Sequence, residues 1–216
     1  MLSLEYPVTL ILIAINVVVS LIGFSNPDFV NKYIFWPYRQ ARENQQYRFI
    51  TSGFLHADFM HLLFNMFTLY FLGSAIEMYF AGYGLGGTAA YLLLYFIGLI
   101  VASIPTYLKH KDNYHYRALG ASGAVSAVVF ACLLFNPWGT IYIFFIPMPF
   151  IVFAVLYIWY CVYMSKQGGD NINHDAHLWG SLFGLAFTIA LIAALRPDLF
   201  PAIFQELSHP RFNLRT

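Results

Sequence analysis

The chain has 216 residues, of which 60% are apolar and 10% are charged, and its formal net charge is +1. A soluble domain is about 45–50% apolar and about 25% charged, so this composition excludes an ordinary soluble domain. We expect no nucleic-acid partner.

The apolar residues fall into six long blocks, and a membrane-spanning helix needs about 20 such residues. The blocks are Tyr6–Phe24, Phe59–Phe80, Leu85–Leu108, Ala118–Phe135, Ile141–Met164 and Leu178–Leu195. They predict an all-α, polytopic membrane protein with six transmembrane helices. Because the blocks fill more than half of the chain, residues 1–216 are predicted to form one membrane domain with a short tail from about residue 196.

The first block is expected to be a helix of the mature protein rather than a signal peptide. The residues before it include Glu5 and contain no Lys or Arg, and its apolar core exceeds the about 7–15 residues usual in a signal peptide. The two cysteines, Cys132 and Cys161, lie inside apolar blocks. We interpret both as small buried hydrophobes.

The connections between the blocks differ in length and composition. The first, about residues 25–58, is long and mixes aromatic with polar side chains, which predicts a structured loop at the membrane interface. Since successive spans alternate in direction, the first, third and fifth connections share one membrane face. Helices 2, 4 and 6 therefore begin at that face.

Lys and Arg are divided unevenly between the two faces. The first, third and fifth connections contain eight of them: Lys32, Arg39, Arg42, Arg48, Lys109, Lys111, Arg117 and Lys166. The opposite face has Arg196, Arg211 and Arg215, all in the tail. The positive-inside rule then places the first, third and fifth connections in the cytoplasm.

The fifth block contains Pro147 and Pro149 near its start. Each proline removes a backbone donor, so the pattern predicts a kinked helix 5. Such a kink is compatible with a movable segment and equally with a static bend that neighbouring helices satisfy.

Polar and ionisable residues in membrane spans are costly and mark candidate sites. Here they form three clusters, each at the start of an even-numbered helix. His61 and Asn65 lie four residues apart and share a face of helix 2. Ser122 opens helix 4 between glycines, and His177 opens helix 6 above a stripe of small residues.

Together these clusters supply the parts of a serine nucleophile site. The serine needs a base within hydrogen-bond reach and donors that stabilise the oxyanion. Glycines beside Ser122 permit a sharp turn and close approach of another chain, and small residues below His177 let helix 6 press against helix 4. We expect His61 and Asn65 at the same depth.

At these residues the chain resembles the rhomboid family of intramembrane serine proteases. The resemblance consists of Gly120, Ala121, Ser122 and Gly123 for the Gly-x-Ser-Gly motif, Ala176, His177, Gly180 and Gly184 for the Ala-His-x-x-Gly motif, and His61 and Asn65 for the His-x-x-x-Asn pair. It extends to Tyr47, Arg48 and His56 for the Trp-Arg loop motif, and to Gly73 and Glu77 late in helix 2.

The resemblance implies a six-helix rhomboid-like bundle and a serine endopeptidase with a Ser-His dyad. Ser122 would be the nucleophile and His177 the base, with the oxyanion held by the Asn65 amide, His61 and the Ser122 backbone amide. Asp175 lies two residues from His177 and points elsewhere on a helix, so we expect no triad. Structural roles are expected for Gly120, Gly123, Gly180, Gly184, Arg48 and Glu77.

The resemblance also implies transmembrane protein substrates within membrane lipid, cleaved through an acyl-enzyme without a metal or other cofactor. The expected location is a bacterial inner membrane. The family places the N-terminus in the cytoplasm and opens the site outward, which is the reverse of the charge count, so the orientation stays open. The oligomeric state is not predicted.

The chain departs from the family pattern at two positions. Tyr47 replaces the Trp before the loop arginine. Ser126 occupies the position four residues after the serine, where bacterial members commonly have an aromatic side chain packed against the catalytic histidine. The orientation of His177 must then be held in some other way, for which a neighbouring aromatic is one candidate.

Two alternative functions remain open at the sequence level. A rhomboid-like protein without catalytic activity would bind membrane clients, an alternative that Ser126 leaves open. A membrane metal or haem protein would use His56, His61, His174 and His177, although their spacing is a weak ligand signature.

Overall fold

The computed structural model describes residues 7–143, 145–170 and 172–210. Helices in the first half of the chain are α1 (Val8–Ser25), α2 (Pro27–Tyr33), α3 (Pro37–Glu43), α4 (Arg48–Thr51), α5 (Phe59–Gly82) and α6 (Gly87–His110). They are followed by α7 (Ser122–Leu133), strands β1 (Thr140–Ile143) and β2 (Ile146–Pro149), and helices α8 (Phe150–Gln167), α9 (His174–Leu195) and α10 (Phe200–Ser208). Short 3-10 turns cover Ser52–Phe54 and Pro197–Leu199.

Within the described ranges, α1, α5, α6, α8 and α9 are long and apolar enough to cross a membrane. Their outer faces are apolar too, as Val18, Phe67 and Trp159 show by their exposure. The structure therefore confirms the all-α, polytopic class. It does not confirm six spans, because the fourth block forms only the 12-residue helix α7.

Helix α7 lies at the centre of the bundle. Every residue after Ser122 in this helix is buried, with α5, α6, α8 and α9 packed around it. A side chain at Gly180 would overlap the carbonyl of Gly123, and one at Gly184 would overlap the carbonyl of Ala127. The predicted close approach of helix 6 to helix 4 is thus present in the structure.

The prediction of a proline-kinked helix 5 is wrong. Strands β1 and β2 pair in antiparallel fashion, with Pro147 opposite Tyr142, and α8 begins only at Phe150. Prolines lack the amide donor that a helix interior needs, whereas Pro149, at φ −61°, is well placed just before a helix. Because of the two prolines, the helix begins later in the sequence and is not kinked by them.

Helix α5 is continuous but not uniform, because residues Leu69–Gly73 form a π-helical turn between the α-helical segments Phe59–Thr68 and Ser74–Gly82. Beyond this turn, the fully buried Glu77 carboxylate meets the start of α1. It accepts hydrogen bonds from the Val8 and Thr9 amides and from the Thr9 hydroxyl, at 3.0, 3.0 and 2.9 Å. Glu77 thereby caps the N-terminus of α1.

The first connection is structured, as the sequence predicts, and Arg48 organises it. The Arg48 side chain is buried and its Nη1 donates to the carbonyls of Asn31 and Ile34 at 3.0 and 2.7 Å. Its Nε donates to Gln45 Oε1 at 2.6 Å. A charged donor bonded to several carbonyls fixes a loop more strongly than neutral bonds do.

This loop also fixes the segment that leads into α7. Phe35 and Ala118 exchange backbone hydrogen bonds at 3.0 and 3.1 Å, and the Gly120 amide donates to the Ser52 carbonyl at 3.0 Å. The residues immediately before Ser122 are therefore held from the loop side by three backbone bonds.

Candidate active site

A cavity of about 1080 Å³ contains all four predicted site residues, Ser122, His177, His61 and Asn65, in its lining. Besides residues of α7 and of the loops, the lining includes side chains from α5 and α8, among them Met60, Phe64, Thr68, Phe153 and Tyr157. The cavity thus lies between α5 and α8 as well as above the start of α7.

Ser122 is the first residue of α7 and is half-buried. An amide in the first turn of a helix has no carbonyl partner within that helix, so the Ser122 N–H is available to a ligand oxygen. Both Ser122 and His177 belong to the described part of the chain, and no hydrogen bond joins the hydroxyl to the ring. Catalytic hydrogen bonds often tighten only when substrate is bound.

Gly120 is required by two features of its surroundings. Its φ is +125°, a conformation that a residue with a side chain rarely adopts. A Cβ at this position would also lie 2.7 Å from Cε1 and 2.9 Å from Nε2 of His61. The glycine therefore lets the His61 ring reach the backbone beside Ser122.

The surroundings of His61 favour a ring that carries its proton on Nε2. The Ala57 amide donates weakly to His61 Nδ1 at 3.5 Å, and a neutral imidazole that accepts at one nitrogen donates from the other. Nε2 is the nitrogen beside Gly120. It can therefore supply a donor to the cavity.

His56 packs behind His61, with ring centroids 5.0 Å apart. Its Nδ1 is hydrogen-bonded to Ser20 Oγ at 2.8 Å. Burial lowers the pKa of His56 to about 3, with a smaller contribution from the neighbouring His61. His56 is therefore neutral near pH 7 and acts as packing that joins the loop to α1.

Asn65 is buried one turn below His61. Its Nδ2 donates to the His61 carbonyl at 3.0 Å. An amide NH2 group has two donors, so one N–H remains for the cavity. Asn65 and His61 therefore have side-chain donors on the same helix face.

The structure contains an aromatic side chain that packs on His177. The ring of Tyr157, from α8, stacks on His177 with centroids 6.2 Å apart and planes 15° apart. The Tyr157 hydroxyl is hydrogen-bonded to Ser126 Oγ at 3.0 Å. The small residue on α7 thus makes room for, and fixes, a ring from the next helix.

Tyr157 is the site residue that sequence reasoning missed. It is one of several aromatic residues in α8, and no spacing distinguishes it from Tyr160 or Trp159. The available signal was indirect, since Ser126 on α7 leaves a space that a ring from another helix could fill.

The carboxylates near His177 bond elsewhere. Asp175 accepts from Lys109 Nζ at 3.2 Å and from the Ser165 hydroxyl, as expected for a residue that points away from the base. Asp170 instead contacts His174. The geometry therefore offers His177 no carboxylate partner among the described residues.

The four histidines considered as metal ligands do not form one group. His56 and His61 are adjacent, and His174 and His177 are adjacent. Within the described residues, His174 and His177 lie close to Cys161, and these three side chains form a potential ligand group. The four-histidine set of the alternative metal-protein hypothesis is therefore not assembled among the described residues.

Known proteins resemble this chain over most of its length. The family model for the Rhomboid domain matches residues 43–194. RHOMBOID-like protein 12, mitochondrial, from Arabidopsis thaliana is 33% identical over 143 residues, covering 61% of this chain and 42% of that protein.

Two bacterial relatives match a larger part of the chain. Rhomboid protease GlpG from Enterobacter sp. (strain 638) is 28% identical over 195 residues, covering 85% of this chain and 63% of that protein. Rhomboid protease GlpG from Yersinia pseudotuberculosis is 24% identical over 180 residues, covering 83% and 60%. The chain thus spans between 42% and 63% of these relatives' lengths. Because the family model covers more than half of its residues, the chain belongs to the rhomboid family.

Proposed function

We propose that this multi-pass membrane protein is an intramembrane serine endopeptidase with Ser122 as nucleophile and His177 as base. The observation that carries the proposal is the shared cavity, which brings Ser122 and His177 together with His61 and Asn65 from a third helix. The names of the GlpG relatives, which are called rhomboid proteases, support the same activity.

The reaction begins with attack of Ser122 Oγ on the scissile carbonyl carbon while His177 takes the hydroxyl proton. The oxyanion is stabilised by the Ser122 backbone amide, the free Asn65 N–H and His61 Nε2. Loss of one such donor lowers the rate by about 10²–10³-fold. Collapse of the intermediate breaks the C–N bond, and His177 returns the proton to the leaving amine.

Deacylation repeats these steps with water. A water molecule in the cavity attacks the ester carbonyl, and His177 accepts its proton. The Ser122 oxygen then leaves and recovers a proton from His177, which releases the new carboxyl end. The reaction needs no redox step and no group beyond this chain and water.

The substrates we propose are single-span membrane proteins that enter from the lipid between α5 and α8. Apolar side chains from both helices line the cavity there, including Met60, Phe64 and Phe153. We place the protein in a bacterial inner membrane, in line with the GlpG relatives, although the Arabidopsis relative is named as mitochondrial.

The first experiment compares wild type with Ser122→Ala and His177→Ala on a single-span substrate in liposomes, with and without a chelator. Loss of cleavage in both variants, unaffected by the chelator, would support the dyad. If folded wild type cleaves none of several substrates, a non-cutting rhomboid-like protein becomes the better conclusion. Activity that the chelator abolishes would favour a metal-dependent hydrolase.

A further inference from the structure

The proposed base, His177, belongs to a cluster of three potential metal ligands, and the reaction does not use the other two. Cys161 of α8 and His174 and His177 of α9 have potential ligand atoms that all lie within 4.8 Å of one another. Cys161 and His174 are buried, and His177 is half-buried. His177 also lines the large cavity, which gives an ion from water a path to the cluster.

His174 has one ring nitrogen bonded to a carboxylate and the other without a partner, the pattern of a histidine that can bind a metal ion. Its Nε2 pairs with Asp170 Oδ2 at 3.0 Å, while its buried Nδ1 has no hydrogen-bond partner. A neutral ring that donates from Nε2 has its lone pair on Nδ1. Metal-binding histidines almost always have a carboxylate, carbonyl or water on the other ring nitrogen, which fixes the tautomer and orients the ring.

The ligand types select a particular kind of ion. One thiolate and two imidazoles suit Zn²⁺, and three protein ligands leave a fourth position for water. Bonds of about 2.3 Å to sulfur and about 2.0–2.1 Å to nitrogen place tetrahedral ligands about 3.3–3.6 Å apart. Small side-chain rotations toward a common centre would close the observed separations. Binding would release the thiol proton.

We propose that Cys161, His174 and His177 form a Zn²⁺ site that inhibits the protease by occupying its base. A neutral imidazole has one nitrogen lone pair, so His177 cannot bind the ion and accept the Ser122 proton at once. The inhibition rests on the proposed function, whereas the binding of the ion does not.

The binding test uses the full-length Ser122→Ala protein in detergent and Co²⁺ as a spectroscopic substitute for Zn²⁺. We expect a cobalt–thiolate charge-transfer band that saturates at one ion per chain and that Zn²⁺ displaces. Cys161→Ser should abolish the band. Cys132→Ser is the matched control, because it removes the other buried thiol, and it should leave the band unchanged.

A second variant tests the geometry without disturbing the core. Asp170→Asn changes a carboxylate at the protein surface, and it should weaken Co²⁺ binding by about 10–100-fold, as loss of a carboxylate behind a histidine ligand does. No band in the parent protein, or a band that survives Cys161→Ser, would overturn the site.

Inhibition is then measured on protein that retains Ser122. Within each variant, cleavage with added Zn²⁺ is divided by cleavage with chelator, which removes differences in basal rate. We expect a low ratio for the parent and Cys132→Ser, and a ratio near one for Cys161→Ser. A cobalt band in protein that never cleaves would contradict only the proposed function, and an active enzyme without a band would contradict only the metal site.

Discussion

Gly120 combines a left-handed backbone with a close approach of the His61 ring. Gly120→Ala should shift both that ring and the start of α7, and misplaced catalytic groups lower rates by about 10²-fold. The measurement is kcat for a single-span substrate, with folding checked by thermal denaturation. Gly168→Ala is the matched control, since Gly168 has φ +63° but no atom near its Cβ position. Equal kcat values for the two variants would contradict this role.

Tyr157 is expected to be a positioning residue that acts through His177. Tyr157→Phe retains the stacked ring and should retain most of the activity. Tyr157→Leu should lower kcat by about tenfold or more. A correctly positioned base raises the rate by about 10²–10⁴-fold, and the variant should lose part of that increase. A purely structural role would affect folded yield rather than kcat. If Leu and Phe variants have the same kcat and the same pH profile, the stacking does not orient the base.

Helix α1 depends on a carboxylate supplied by another helix. Glu77→Gln replaces an acceptor of three hydrogen bonds with a side chain that has one oxygen, and a lost bond to a buried charged group costs about 1.5–3 kcal/mol. We expect a lower unfolding temperature in detergent. Glu43→Gln, which removes an exposed pair with Arg39 at 3.5 Å, should change stability little.

Helix boundaries show where sequence reasoning succeeds and where it fails. The block from Leu178 marks α9, but the helix begins four residues earlier, at His174. The Asn173 side chain accepts a hydrogen bond from the Ala176 amide at 3.1 Å, a cap that asparagine commonly provides. The capping residue was visible in the sequence, and the apolar count alone overlooked it.

The hairpin before α8 could not be distinguished from helix by hydrophobicity. Residues such as Ile141 and Tyr142 are apolar in either state, and a short apolar run does not separate strand from helix. Pro147 and Pro149 are the residues that distinguish the two states, but a pair of prolines is compatible both with a kink in one long helix and with a strand before a shorter helix.

At the scale of the whole molecule, the sequence predicts four side chains that line one cavity in the structure, because each motif lies at the start of its own helix. It did not predict how Tyr157 and Ser126 meet, since a contact between α8 and α7 depends on the rotation of both helices. It also missed the group around Cys161, because its members become neighbours only when α8 packs against α9.

Lateral entry between α5 and α8 makes a prediction for the whole bundle. Cysteines placed at Phe64 and Phe153, in a Cys132→Ser/Cys161→Ser background, would be joined by a cleavable thiol cross-linker. Cross-linked protein should lose cleavage of a membrane-embedded substrate, and release of the linker should restore it. The same variant without linker is the control. Unchanged turnover in fully cross-linked protein would exclude entry by this route.

The bond between Ser126 and Tyr157 also limits how parts of relatives can be combined. Consider a chimera in which only α7 comes from a relative with an aromatic residue at position 126. The new ring and the Tyr157 ring would both pack against His177, in a region that is already buried. A graft that brings only α8 without a ring at 157 would leave the histidine unsupported. Positions 126 and 157 are therefore expected to change together among relatives. An alignment in which each position is judged separately would count Ser126 as the loss of a site residue, although Tyr157 supplies the ring.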